Sequence, residues 1–171
     1  MGPVIGRFEP ERGEPGHTVH GSPASGGLIP RRGLAVRVPT VLFACVENTF
    51  RSVMAEALFN ANAPPGWRAI SAGVDAKGDR INPVAVTLLA EIGIDVKKKR
   101  PQQVTPEMIR DAYRLVTFGC LDRCPSGGAG KNEDWPLPGS TGKTDTELRE
   151  IRGELRRRVL DLIRRLPERK D

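Results

Sequence analysis

Cys45 and Arg51 stand six positions apart in the run Cys45-Val46-Glu47-Asn48-Thr49-Phe50-Arg51-Ser52. A cysteine is a nucleophile as its thiolate, and an arginine offers a planar fork that matches two oxygens of one anion. If the run curls round the start of a helix, the backbone N–H groups of residues 46–52 converge on one point. The helix dipole and the Arg51 guanidinium face that same point. Such a loop would bind a tetrahedral oxyanion and favour the thiolate form of Cys45 beneath it. The chemistry expected is attack by sulfur on phosphate or arsenate, with no base needed for activation.

The neighbouring elements suit that purpose. Residues 41–44 (Val-Leu-Phe-Ala) read as a buried strand ending at Cys45, and Val53, Met54, Ala57 and Leu58 share one face of a helix that Arg51-Ser52 opens. The spacing of Cys and Arg is common by chance, and a cysteine at a strand end is ordinarily a small hydrophobe. The order strand, loop, Arg-Ser, amphipathic helix tips the balance toward the oxyanion loop. Both histidines, His17 and His20, precede Pro39. A Cys-His or Ser-His pair is therefore excluded from the remainder of the chain, and the loop itself must activate Cys45.

Farther along, Pro64-Pro65-Gly66 breaks the chain and residues 67–74 read as a second strand. Asn82-Pro83 supplies an N-cap and an N1 proline for a helix over 84–92 that Gly93 stops. Lys97-Lys98-Lys99-Arg100 reads as a solvated basic loop that adds to the field drawing anions. Thr105-Pro106-Glu107 starts a third helix, residues 114–118 form a third strand, and 119–135 is loop with a short fourth strand near Trp135. Thr144 and Glu147 make a capping box. Leu148, Ile151, Leu155, Val159, Leu162 and Leu166 mark the apolar face of the longest helix. Alternating strands and helices predict an α/β fold, three layers α/β/α around a small parallel sheet of about four strands. Ligands in such folds sit beyond the carboxyl ends of the strands. Cys45, Cys120 and Cys124 all fall at that edge.

Residues 1–38 hold eight of the 19 glycines and five of the 15 prolines and show no sustained period. They read as a disordered extension, leaving 39–171 as the catalytic domain. The 171 residues carry a net charge of +6, which suits small anionic ligands. Eight aromatic residues with no basic-aromatic interleaving argue against a nucleic-acid platform. No apolar run approaches a membrane span, and the N-terminus lacks a signal-peptide core. Three cysteines, an odd number, argue for reduced, functional thiols and a cytoplasmic protein.

Cys120 and Cys124 admit three readings. A zinc site would need four N or S ligands, and three cysteines without histidine do not supply them. Inert burial fits poorly with the polar surroundings Asp122-Arg123-Cys124-Pro125-Ser126. A redox pair is the better reading: one thiolate attacks Cys45 once it is oxidised or arsenylated, and the other resolves the disulfide. No metal or cofactor is expected.

The residues Cys45-Val-Glu-Asn-Thr-Phe-Arg51-Ser52, Met54-Ala55-Glu56, Ser71-Ala72-Gly73, Asn82-Pro83, Gly93-Ile94-Asp95, Val116-Thr117, Cys124-Pro125 and Trp135 resemble the low-molecular-weight protein tyrosine phosphatases and the arsenate reductases that share their fold. Asn82-Pro83 and the two loop cysteines favour the reductase branch. That resemblance implies Cys45, Arg51, Cys120 and Cys124 as catalytic residues, residues 46–52 (Val46, Glu47, Asn48, Thr49, Phe50, Arg51, Ser52) as the oxyanion loop, and a thioredoxin-like reductant. The alternative it implies is a phosphatase working through a phosphocysteine. Where the family carries a general-acid Asp-Pro after the Trp, this chain has Gly139-Ser140, with Glu133 and Asp134 the nearest substitutes. Asn48, Glu56 and Ser71 match three residues that hold potassium in some members, but Tyr113 aligns with the fourth, an Asp, so the ion is not expected.

Overall fold

The computed structural model describes residues 37–124 and 130–169. The N-terminal extension expected over 1–38, with His17 and His20, therefore lies outside the described residues apart from its last two. Four strands pair in the order β2-β1-β3-β4, all parallel: β1 (Thr40–Cys45), β2 (Arg68–Gly73), β3 (Arg114–Thr117) and β4 (Asn132–Asp134). Between and after them come α1 (Arg51–Asn62), α2 (Pro83–Ala90), α3 (Pro106–Asp111) and α4 (Asp145–Arg165).

β1 is buried along its whole length and reads as continuous apolar sequence because both of its faces are covered. Its side chains alternate between two cores. Val41, Phe43 and Cys45 join the helices α1, α2 and α4, while Leu42 and Ala44 pack with Ile109 and Ala112 at α3. Phe43 centres the larger core, with Phe59, Phe118 and Trp135 at centroid distances of 6.2, 6.5 and 5.9 Å. Trp135 thereby pins the chain that leads from β4 toward residues 137–141. In α4, Leu148, Ile151, Leu155, Val159 and Leu162 are buried, and the Thr144–Glu147 capping box is formed.

The expected elements are present, and the stretch 119–135 holds in addition a 3-10 turn, Leu121–Arg123. No helix among the described residues is long and apolar enough to cross a membrane. With β1 central and β3 beside it, the carboxyl ends of both strands open on one edge, carrying Cys45 and Cys120.

Candidate active site

The backbone between β1 and α1 is turned by its carbonyl groups. The oxygens of Cys45, Val46, Glu47 and Thr49 accept hydrogen bonds from the backbone N–H groups of Val74 (3.0 Å), Asp75 (2.8 Å), Lys77 (3.3 Å) and Asn82 (2.9 Å). The loop so turned borders a cavity of about 280 Å³. Cys45, Val46, Glu47, Thr49, Phe50 and Arg51 line it, opposite Asn82, Gly139, Ser140 and Thr141. Helices α2, α3 and α4 each have a side-chain N-cap, from Asn82, Thr105 and Thr144, whereas α1 has none. The first N–H groups of α1 thus have no side-chain cap among the described residues.

Asn48 and Ser52, also expected in the loop, are fully buried beneath it. Asn48 takes a left-handed conformation (φ 57°), uncommon outside glycine but tolerated by asparagine. Its backbone N–H donates to Cys45 Sγ at 3.2 Å, and Ser52 Oγ lies 2.9 Å from the same sulfur. The Asn48 amide donates to Ser52 Oγ and to Ser71 Oγ, each at 2.9 Å, and its Oδ1 accepts from the Gln102 backbone N–H at 2.9 Å. Ser71 in turn donates to Glu56, whose carboxylate lies 2.7 Å from Lys99 Nζ.

Arg51 is anchored from above. Its Nη1 donates to the carbonyls of Phe118 (3.2 Å) and Leu137 (2.7 Å), joining the loop to the chain after β3 and to the opposite wall of the cavity. Asn82 works from the side: its Oδ1 caps α2 at Val84 N, and its Nδ2 donates to Ser140 Oγ, both at 2.9 Å.

Cys120 is fully buried, with Sγ 3.4 Å from the carbonyl of Ala44, the residue before Cys45. Its thiol is pulled down from 9.0 to about 7, chiefly by a hydrogen bond from Cys124 and further by the Phe118 backbone and the Arg51 charge, against burial and Asp134. The Cys124 thiol is pushed well up by the same hydrogen bond, by burial and by the charge on Cys120. Cys120 is therefore the more acidic member of the pair. The structure brings it beside the Cys45 loop, with Cys124 behind it.

Two sequence-based expectations need correction. Neither Glu133 nor Asp134 lines the cavity: Glu133 is held by Arg165 (2.8 and 3.0 Å) and the Trp135 indole N–H (3.2 Å), and Asp134 accepts from Gly119 N (2.8 Å) and Thr117 Oγ1 (2.5 Å). Both carboxylates are spent on the architecture of β4. Lys99 is no solvated member of the basic run, since its side chain is 23% exposed and paired with Glu56 at 16%. Tyr113 packs edge-on against Trp67 at 4.8 Å, and Gln102 joins the Asn48–Glu56–Ser71 group through its backbone N–H. The residues do not fit a potassium ion, because the Glu56 carboxylate that would hold it already carries the Lys99 ammonium.

The site also contains residues the sequence did not single out as functional: Asn82, Ser140 and Thr141 on the wall, and Gln102 and Lys99 under the loop. Asn82 had a visible signal as an N-cap, and Ser140 lies where the resemblance places the general-acid pair; Thr141, Gln102 and Lys99 had no signal that set them apart.

Residues 40–123 match the model of the family described as low molecular weight phosphotyrosine protein phosphatase. An arsenate reductase of Staphylococcus aureus (strain bovine RF122 / ET3-1) is 31% identical over 121 residues, which are 68% of this chain and 90% of that protein. Among solved structures, a thioredoxin-dependent arsenate reductase of Corynebacterium glutamicum superposes with a TM-score of 0.65 at 32% identity, over 77% of this chain and 63% of that one. The YwlE arginine phosphatase of Geobacillus stearothermophilus also gives 0.65, at 27% identity, over 74% and 91%. With the parallel sheet, the Cys45–Arg51 loop and these relatives in common, the chain belongs to the low molecular weight phosphotyrosine protein phosphatase family.

Proposed function

We propose that this enzyme is a thiol-dependent arsenate reductase. The observation that carries the reading is the Cys120–Cys124 pair, with the acidified Cys120 sulfur at 3.4 Å from the Ala44 carbonyl beside the Cys45 loop. A phosphatase has no use for two further thiols at this edge. The small cavity suits a bare oxyanion: Phe50 is the one aromatic residue in its lining.

In this reading arsenate binds the loop N–H groups and the Arg51 guanidinium. The Cys45 thiolate attacks arsenic, an oxygen leaves as water, and a thioarsenate adduct forms. The Cys120 thiolate then attacks the Cys45 sulfur. A Cys45–Cys120 disulfide forms, the electron pair of the S–As bond stays on arsenic, and arsenite departs. Cys124 attacks Cys120, freeing Cys45 and leaving a Cys120–Cys124 disulfide for a thioredoxin-like dithiol. Arsenate plus two thiols thus becomes arsenite, one disulfide and water. The relay requires a reducing compartment, which makes the cytoplasm its place of action.

The phosphatase reading draws on the family model and on the arginine phosphatase neighbour. It needs only the loop, with water releasing phosphate from Cys45. Glu47 is the one carboxyl residue in the cavity lining, and losing a placed general acid costs about 10²–10⁴-fold in rate. Phosphatase chemistry on oxygen leaving groups is weakened accordingly.

The test is one turnover with arsenate and no reductant, followed by peptide mapping and arsenite assay. Wild-type protein is expected to release arsenite and carry a Cys120–Cys124 disulfide; Cys124→Ser should stall with Cys45 joined to Cys120. If no disulfide forms among the three cysteines while an aryl phosphate is hydrolysed, the phosphatase reading replaces this one.

A further inference from the structure

Five hydrogen-bonded or ion-paired steps run from Cys45 Sγ to an ammonium group on the far side of α1: Cys45–Ser52, Ser52–Asn48, Asn48–Ser71, Ser71–Glu56 and Glu56–Lys99. The direction of every bond follows from one end. A carboxylate only accepts, so the Ser71 proton is committed to Glu56. Ser71 Oγ must then accept from Asn48, which turns the Asn48 amide nitrogen toward Ser71 and Ser52. The amide oxygen faces the backbone N–H of Gln102, the one orientation that satisfies all three partners. Ser52 Oγ, already receiving an Asn48 hydrogen, has its own proton left for Cys45. If the Glu56 carboxylate were displaced, Ser71 would be free to turn its proton elsewhere, and the order of donors down to the sulfur would no longer be enforced.

We propose that Lys99 is a positioning residue for the oxyanion loop: its ammonium acts as a built-in cation that holds the Glu56 carboxylate in place against Ser71. Through Ser71 it fixes the orientation of Asn48, and with it the left-handed turn beneath Cys45. Lys99 touches neither the anion nor the sulfur. Glu56 is half-enclosed between α1 and the loop after α2, where an unpaired carboxylate is costly, and Lys99 is its ion-pair partner among the described residues. Both residues also line a separate, open cavity of about 640 Å³, together with Asp95 and Lys98, so small ions from solvent can reach the pair.

The inference rests on the loop binding oxyanions, and the experiment separates the two ideas. Alkylation of Cys45 is followed by peptide mapping against increasing inorganic phosphate, at constant ionic strength, in potassium, methylammonium or choline chloride. The variants are Lys99→Met and Lys99→Arg, each with Lys98→Ala so that no neighbouring ammonium swings in, and Lys98→Ala alone as control. Wild type and the control should be protected equally in all three salts. In Lys99→Met the half-protecting phosphate concentration should rise about tenfold, the scale of a lost charge-assisted hydrogen bond. Potassium or methylammonium should restore it; choline, too large for the gap, should not. Lys99→Arg should stay near wild type and, since it keeps the charge, remains informative if the Met variant folds poorly. Protection in Lys99→Met equal to wild type, or weakened alike in every salt, overturns the built-in cation while leaving the loop as an oxyanion site. An absence of protection in wild type overturns both.

Discussion

Gly73 lies directly under the loop: a Cβ on it would stand 2.7 Å from the carbonyl oxygen of Val46 and 2.9 Å from Asn48 N. Those contacts are backbone atoms, so nothing can swing aside. Gly73 is also fixed by its partners, since its N–H donates to Gln102 O and its carbonyl accepts from Val104 N, both at 2.8 Å. The last residue of β2 and the oxyanion loop are packed backbone against backbone.

Gly73→Ala should therefore move the loop rather than the strand. Overpacking of this kind costs about 1–3 kcal/mol, visible as a lower thermal midpoint with the fold retained. Phosphate protection of Cys45 should weaken at least about tenfold, because converging N–H groups lose their common focus. Undiminished protection in a folded Gly73→Ala protein would mean that the loop does not depend on this contact.

Arg51 holds the Phe118 and Leu137 carbonyls with Nη1, leaving the rest of its fork for an anion. Lysine keeps the charge but cannot bridge two carbonyls and two anion oxygens at once. Arg51→Lys should lower kcat about 10²–10³-fold, the usual scale for one lost anion donor, while circular dichroism stays native. Near-normal turnover would assign the anion to another group.

Much of this was legible in the sequence, for identifiable reasons. The strand ending at Cys45, the six-residue offset to Arg51 and the helix that follows are local features, and each leaves a periodic or spaced trace. So do the caps at Asn82, Thr105 and Thr144. The Lys99–Glu56 pair spans 43 positions, and nothing in a run of four basic residues distinguishes the one that turns inward. Glu133 and Asp134 do lie near the site in sequence, but their partners, Arg165 and the Gly119 N–H, are fixed only by folding. The resemblance located Gly139-Ser140, but not what holds the wall at 139–141, which gains its position from Asn82, 58 residues away, and from Arg51 through Leu137.

Asn82 serves two masters, the N-terminus of α2 and the Ser140 wall. Asn82→Ala should cost about 1 kcal/mol of stability as a lost cap. It should also raise KM more than it lowers kcat, since the wall shapes the cavity while the sulfur's hydrogen bonds are to Ser52 and Asn48. Asn82→Asp restores an acceptor for Val84 N but not the donor to Ser140. It should recover the stability and leave KM raised; recovery of both would show that the Ser140 bond is dispensable.

The cysteine pair makes a prediction about pH. Cys120 is lowered to about 7, with the hydrogen bond from Cys124 as the largest cause and the Arg51 charge as a lesser one. Its thiolate fraction should therefore rise as pH increases through about 7, whereas the raised Cys124 stays protonated over the same range. Ultraviolet thiolate absorbance, measured in a Cys45→Ser background, should show one inflection there. Cys124→Ala removes the donor and should move that inflection upward, toward the ordinary thiol value of about 8.5. Cys124→Ser, whose hydroxyl can still donate, should shift it less. In the proposed relay this ordering favours Cys120 as the attacking sulfur and Cys124 as the one that follows, since the thiolate form performs the exchange. An inflection left in place by Cys124→Ala would transfer the acidifying role to Arg51 and the Phe118 backbone, and Arg51→Lys would then be the variant that moves it.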